Sequence, residues 1–305
     1  MLSFIIKRMG HSVISISLVV VAVFFIARMT GSPAELYLPI DTPDSVIHDY
    51  AVLHGLDKPL WVQFVNFIVD LCHFEFGQSL RLNVPASEAI FEALPTTVML
   101  ALIVIPLALI LAIVIGIGTA LRPNSWFDRF ASSLSLSTSS IPEFWIALVA
   151  ILVFAVSLKI LPSSGYGSFI YWVLPVGVLT VRPLGNFVQV IRNSLLATLS
   201  SQYVKAARAK GAGSIRIIFV HCLRNSMIPV VTMASDAALN ILNGVVIIEI
   251  MFGFPGLGRL MLDSVLYRDY ALLQAIVIVT AIIVFVVNTI TDFIYVLIDP
   301  RVRYG

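Results

Sequence analysis

The chain has 305 residues, 59% hydrophobic and only 12% charged, with 19 Lys and Arg against 17 Asp and Glu for a net charge of +2. Soluble domains carry about a quarter charged residues, so the composition excludes a soluble globular protein and identifies an integral membrane protein. The small positive balance is no field for nucleic acid; it reports topology instead.

A helix needs ~20 mostly apolar residues to cross a bilayer, and such runs occur at 10–29, 95–121, 138–158, 172–191, 227–251 and 272–297. The predicted fold class is therefore an all-α protein of six transmembrane helices. The first run follows Lys7-Arg8, lacks a small-residue cleavage site and closes on Arg28-Met29, so it reads as a retained span and not a signal peptide. The run at 172–191 is interrupted by Pro175, Arg182, Pro183 and Asn186, which a helix tolerates where it faces protein or a water-filled path.

Orientation follows from the distribution of Lys and Arg. With the N-terminus in the cytoplasm, the inside segments hold Lys7, Arg8, Arg122, Arg129, Arg192, Lys205, Arg208, Lys210, Arg216, Arg224, Arg301 and Arg303 against Asp128 and Asp299. Both termini are then expected inside. The chain divides into 1–29, the cytoplasmic N-terminus and first span; 30–94, an acidic extracytoplasmic segment; and 95–305, a core of spans two to six that includes a cytoplasmic loop at 192–226. Cys72 and Cys222 fall on opposite sides and cannot pair within the chain.

Within 30–94, turn formers at Gly31-Ser32-Pro33 and Asp41-Thr42-Pro43-Asp44 precede a short predicted helix over 45–53. An amphipathic helix is predicted over 59–68, with Trp61, Phe64, Val65 and Ile68 on one apolar face. Together they form a small helical cap resting on the membrane surface. A seventh span through 59–74 fails on length and on Asp70, His73 and Glu75. His48, His54, His73 and Cys72 share the segment, but their spacing fits no compact metal motif, and no metal site is expected.

The loop 192–226 has no acidic residue, is rich in Ala, Lys and Arg, and carries Gly211 and Gly213 in its middle. Ala and long basic side chains favour helix and Gly ends it, which predicts helix–turn–helix. By charge alone the segment reads equally well as an ordinary positive-inside loop.

The run Tyr203-Val204-Lys205-Ala206-Ala207-Arg208-Ala209-Lys210-Gly211, with His221, Leu223, Arg224, Asn225 and Pro229, resembles the coupling loop of the dipeptide, oligopeptide and nickel permeases of bacterial ABC importers. Further likenesses are Gly55-Leu56-Asp57-Lys58-Pro59-Leu60, Phe76-Gly77 with Ser79-Leu80, Leu94-Pro95-Thr96-Thr97, Pro255-Gly256-Leu257-Gly258-Arg259-Leu260, Arg268-Asp269-Tyr270 and Asp299-Pro300-Arg301-Val302-Arg303-Tyr304. The outer segment before the second span resembles the first of the two permease subunits. The wider importer loop begins Glu-Ala-Ala where this chain has Lys205-Ala206-Ala207, which leaves the docking contacts open. The resemblance implies a type I importer permease fold and transport by alternating access. It implies a homologous second permease, two ATPase subunits that bind ATP and Mg, an extracytoplasmic binding protein, and a place in the bacterial cytoplasmic membrane. Tyr203, Lys205, Ala206, Ala207, Arg208, Lys210 and Gly211 would meet the ATPase. Peptide is the expected cargo, with nickel or a metal chelate, glutathione or haem as alternatives, and a non-transporting scaffold for the ATPases as a reading of another class.

The chain has no Gly-x4-Gly-Lys-Ser/Thr, His-Glu-x-x-His or Gly-x-Ser-x-Gly, so no catalytic residue, resident cofactor or metal is expected in it. Polar residues inside spans are costly and point to function. Thr232, Asp236, Asn240 and Asn243 form one stripe on the fifth span, and Arg182, Asn186, Gln189 and Asn193 another on the fourth. At similar depth, Arg182 and Asp236 are expected to pair, either lining the path or as glue between helices. The stretch from Phe252 to Leu260, with Pro255, Gly256, Gly258 and Arg259, is expected as an irregular outer loop, which the resemblance to the permease family implies lies near the outer mouth. Glu249 would anchor it, or the stretch is simply a turn.

Overall fold

The computed structural model describes residues 2–29, 31–39 and 41–298. Helices follow one another as α1 (Leu2–Met29), α2 (Ala34–Tyr37), α3 (Asp44–Leu53), α4 (Leu60–Cys72), α5 (Ala86–Leu121), α6 (Trp126–Ser140) and α7 (Glu143–Ala150). A π-helical stretch, Ile151–Ser157, extends α7. Then come α8 (Phe169–Leu199), α9 (Gln202–Ala209), the short α10 (Ser214–Arg216) running through π-helical Ile217–Cys222 into α11 (Leu223–Phe252), α12 (Leu257–Leu266) and α13 (Tyr270–Ile298). Proline stands immediately before α2, α3, α4, α5 and α7, where its missing N–H costs nothing and its fixed φ suits a first turn.

By length and composition, α5, α8 and Tyr270–Tyr295 of α13 can each cross a bilayer. Two bent pairs add to these: α6 with α7 and its extension, at 107°, and the two parts of α11, Met227–Ile241 and Val245–Phe252, at 52°. Val13–Met29 of α1 is a shorter apolar helix. Each of the six expected spans thus falls on one of these elements, with corrections. The third is broken at Ile141-Pro142 and is not one straight rod. The second belongs to a helix that begins at Ala86, because its polar first turns with Ser87, Glu88 and Glu92 continue the same helix outward.

The chain divides into two compact units. One comprises 1–97 with 255–285, and its core joins Ala86, Ile90 and Ala93 of α5 to Leu257 of α12 and Leu272 and Ile276 of α13. Here α4 packs on α1 through Phe64 and Phe67, whose rings lie 5.0 and 5.5 Å from that of Phe24. Trp61 and Val65, expected on the same face, are instead 69% and 51% exposed; the helix carries a second apolar stripe that its own chain leaves uncovered.

In this unit, stretches distant in sequence meet. The Ser79 hydroxyl donates to Asp269 Oδ2 at 2.6 Å, and Asp269 caps α13 by accepting from the Leu272 N–H at 3.2 Å. The Leu257 N–H donates to Thr97 Oγ1 at 2.9 Å. Arg81 pairs with Asp263 at 2.9 Å, its guanidinium 3.9 Å from the centre of the Tyr267 ring.

The other unit comprises 98–254 and 286–305. Two apolar clusters run through it, one around Val104, Leu179, Val245 and Phe254, the other around Ala112, Ile191, Leu195 and Val230. In both clusters α8 takes part, and it stays helical through Pro175 and Pro183, both buried, as expected of a span that faces protein.

Candidate functional site

The loop 192–226 forms the predicted helix–turn–helix. α9 is held by Val204, fully buried among Leu195, Ile217 and Cys222. Around that one anchor, Tyr203, Lys205, Ala206, Arg208 and Lys210 are exposed and Ala207 is half-buried. α9 ends in a Schellman turn: the Gly211 N–H donates to the Arg208 carbonyl at 2.9 Å and the Ala212 N–H to the Ala207 carbonyl at 3.1 Å. Gly211 has φ +80, and a Cβ there would meet nothing within 4 Å. The glycine is required by conformation and leaves open space before it. The side chains of His221, Arg224 and Asn225 lie outside the described ones. Burial pushes the Cys222 thiol up, partly offset by Arg208.

Beneath this loop, α6 and α8 are joined by a ladder of polar contacts that the sequence reading missed. Arg192 donates through Nε to Asp128 Oδ1 at 2.5 Å and through Nη2 to Oδ2 at 2.8 Å. The Gln189 amide donates to the Ser132 carbonyl at 3.0 Å, and Ser139 Oγ to Asn186 Oδ1 at 2.8 Å. A Cβ on Gly185 would lie 2.7 Å from the Ser135 carbonyl oxygen and would strike Thr138 Oγ1. The rungs continue at the break after α6, where Arg182 approaches Glu143 at 3.7 Å. Arg182 was expected on Asp236; among the described residues its carboxylate partner is Glu143, which has the position one turn further along the same ladder.

Asp128 is 2% exposed and also accepts from the Asn124 N–H and Ser132 Oγ. The Arg192 hydrogen bond, with the Asn124 N–H adding to it against desolvation, lowers its pKa to about 2. A legible signal existed: Ser125 three residues before Asp128 is an N-cap pattern, and Ser125 Oγ does accept from the Asp128 N–H.

On α11, Thr232, Asp236 and Asn240 are all exposed and stand in one row; the Asn243 side chain lies outside the described ones. Thr232 accepts from the Tyr295 hydroxyl at 2.6 Å, and Asn240 donates to the Asp236 carbonyl at 2.8 Å. The fourth-span stripe behaves otherwise, since Asn186 and Gln189 are spent on α6.

At the far end of α11, Gly253 has φ +73 and the Phe254 N–H donates to the Glu249 carbonyl at 2.8 Å. Phe254 is fully buried, 4.9 Å from the Trp172 ring, and Glu249 is 1% exposed. The expected irregular stretch is shorter than predicted: the chain turns at 253–256, and Gly258 and Arg259 already belong to α12. Pro255, Gly256 and Arg259 line a cavity of about 290 Å³ with Glu92 and Asp263. Asp299 to Tyr304 lie outside the described residues.

A family model described as a binding-protein-dependent transport system inner membrane component matches residues 112–304. The chain is 32% identical over 308 residues to the oligopeptide transport system permease protein OppB of Haemophilus influenzae, with all of both chains covered. It is 34% identical over 305 residues to the glutathione transport system permease protein GsiC of Salmonella typhimurium, again over the whole of both. To the dipeptide transport system permease protein DppB of Alkalihalophilus pseudofirmus it is 31% identical, covering 95% of each. A structure of the MetNI methionine ABC transporter in an inward facing conformation shares the fold, with a TM-score of 0.56 at 17% identity over 70% of this chain and 97% of that one. The chain belongs to the family of binding-protein-dependent transport system inner membrane components, the membrane permease subunits of ABC transporters.

Proposed function

We propose that this chain is one of two permease subunits of an ATP-driven importer for short peptides, delivered by an extracytoplasmic binding protein. The observation that carries the coupling part of this reading is α9. It is a basic helix with no acidic neighbour in its segment, exposed on every side but that of Val204. Ala206 and Gly211 leave room for a close-fitting groove on an ATPase subunit, and Lys205, Arg208 and Lys210 meet its acidic surface. ATP and Mg belong to those partner subunits, and this chain carries no catalytic residue. α9 lies in the cytoplasm with both termini, as the Lys and Arg distribution supports.

Closure of the ATPase pair moves α9, and the Asp128–Arg192 pair at the root of the loop ties that motion to α6 as well as α8. Small displacements of packed helices then become alternating access. The exposed row Thr232, Asp236 and Asn240 faces water or the second permease, since a lipid-facing row of such groups is costly. Arg182 stands at the margin of that path, and the turn around Glu249, Pro255, Gly256, Gly258 and Arg259 near its outer mouth. Peptide cargo is supported by the relatives that transport oligopeptides and dipeptides; the likeness to a glutathione permease supports glutathione as the second reading.

The test is ATP-dependent uptake of labelled di-, tri- and longer peptides and of glutathione into vesicles holding the full complex. Ala206→Trp adds bulk at an exposed helical position without the backbone strain any side chain suffers at Gly211. Loss of uptake in an assembled Ala206→Trp complex is expected. Undiminished uptake would remove α9 from coupling, and transport of neither peptides nor glutathione would overturn the cargo.

A further inference from the structure

A cavity of about 500 Å³ opens in the outer unit, among the end of α1, α4 with the loop after it, and the start of α13. Its volume is that of a small-ligand site. Gln274 is among the residues that line it; the residue is 3% exposed, and its Nε2, itself buried behind that wall, has no hydrogen-bond partner among the described residues. Buried amide donors are almost always paired, so this one is open to an acceptor that draws the side chain toward the cavity.

One turn earlier on the same face of α13, the Tyr270 ring lies 5.3 Å from the Arg28 guanidinium. Arg28 is held in place: Nε donates to Gln63 Oε1 at 2.9 Å, Nη1 to the Phe24 carbonyl at 3.2 Å, and the Phe24 ring lies 3.5 Å away. It is within 4 Å of no carboxylate among the described residues. A fixed cation with no carboxylate beside it among the described residues, and a residue whose amide donor is unpaired among them, thus line one cavity.

Two acidic residues, Asp70 and Glu75, line the same cavity, as does Lys58. Asp70 is two turns beyond Gln63 on the same face of α4, or ~10 Å along the helix. The Glu75 N–H donates to the Asp70 carbonyl at 2.9 Å, and both residues line the cavity. An extended chain of three residues spans ~10 Å.

We propose that this cavity binds a short peptide of about three residues as its zwitterion, with the carboxylate on Arg28 and Gln274 and the ammonium beside Asp70 and Glu75. The choice of a peptide rests on the importer reading above; the layout of charge does not. The site lies on the outer face and is a holding place distinct from the row on α11.

The experiment is calorimetric titration of the full complex in nanodiscs, without the binding protein, using trialanine, its C-terminal amide and its N-acetyl derivative. Trialanine should bind, with at least tenfold weakening on amidation, on acetylation, in Gln274→Leu and in Asp70→Asn, and no change in Glu88→Gln, an exposed residue outside the cavity. Affinity indifferent to the termini and to Gln274→Leu, or no binding with only water found in the cavity by electron cryomicroscopy, would overturn the proposal. ATP-driven peptide uptake continuing in that case would sink the site and leave the importer reading standing.

Discussion

Within the single segment 192–226, basic residues are held in two opposite ways. Arg192 is bidentate on a carboxylate that is 2% exposed, whereas Lys205, Arg208 and Lys210 stand in the open on a helix with one buried anchor. Arg192 has its hydrogen bonding used up inside the chain and serves the fold; the other three have theirs to offer to a neighbour. Net charge, which describes both alike, distinguishes neither, and satisfaction within the chain distinguishes them at once.

The comparison breaks most sharply at the ladder. Gly185→Val is expected to destabilise the chain by about 3 kcal/mol or more, because a backbone carbonyl occupies the space its Cβ needs; unchanged melting in detergent would mean that α6 and α8 do not approach so closely. Next, Asp128→Asn should cost about 1.5–3 kcal/mol. Its carboxyl titrates at about 2 in the folded chain against an ordinary 3.8, so the ion pair stabilises fully above pH 3.8 and loses its effect as pH falls through 2. The gap in melting temperature between the native chain and Asp128→Asn should therefore be flat at neutral pH and close only in that acid window.

Smaller effects are expected on the loop. Val204→Ala removes the anchor of α9 at about 1–2 kcal/mol, read best as faster amide exchange over 202–210 with the ladder's own amides unaffected. Gly211→Ala should cost about 1 kcal/mol for its left-handed backbone and Gly211→Asn less. The triple change of Lys205, Arg208 and Lys210 to Gln should leave stability within about 0.5 kcal/mol while lowering ATP-driven uptake. A large loss of stability in that variant would place these cations with Arg192, as parts of the fold.

The spans, the helix–turn–helix and its glycine were legible because each rests on a local pattern: an apolar run, a helix-favouring run, a residue that tolerates positive φ. The ladder was not, because it is a relation between two helices. Asp128 entered the sequence reading only as one minus sign among many plus signs. Residues 126–140, rich in Ser, fall largely outside the apolar window that located the third span. Arg182 and Asp236 were matched by depth, which fixes height along a helix but not the direction a side chain takes around it; Glu143, at the start of the next helix, was reached instead. The split of α4 into two apolar stripes was hidden for the same reason, since Phe67 lies as close to Phe64 in angle as Trp61 does, on the other side.

The bond between Ser79 and Asp269 joins residues 190 positions apart. During synthesis, at 5–20 residues per second, Ser79 waits about 10–40 s for its partner to be made. Through that interval residues 30–94 lack the start of α13, which completes the core of their unit. A chain whose translation stops before Asp269 has most of its hydrophobic spans yet no finished outer unit. That unit is therefore completed late in synthesis, and a truncated chain leaves the apolar faces of Ala86, Ile90 and Ala93 without Leu272 and Ile276 to cover them.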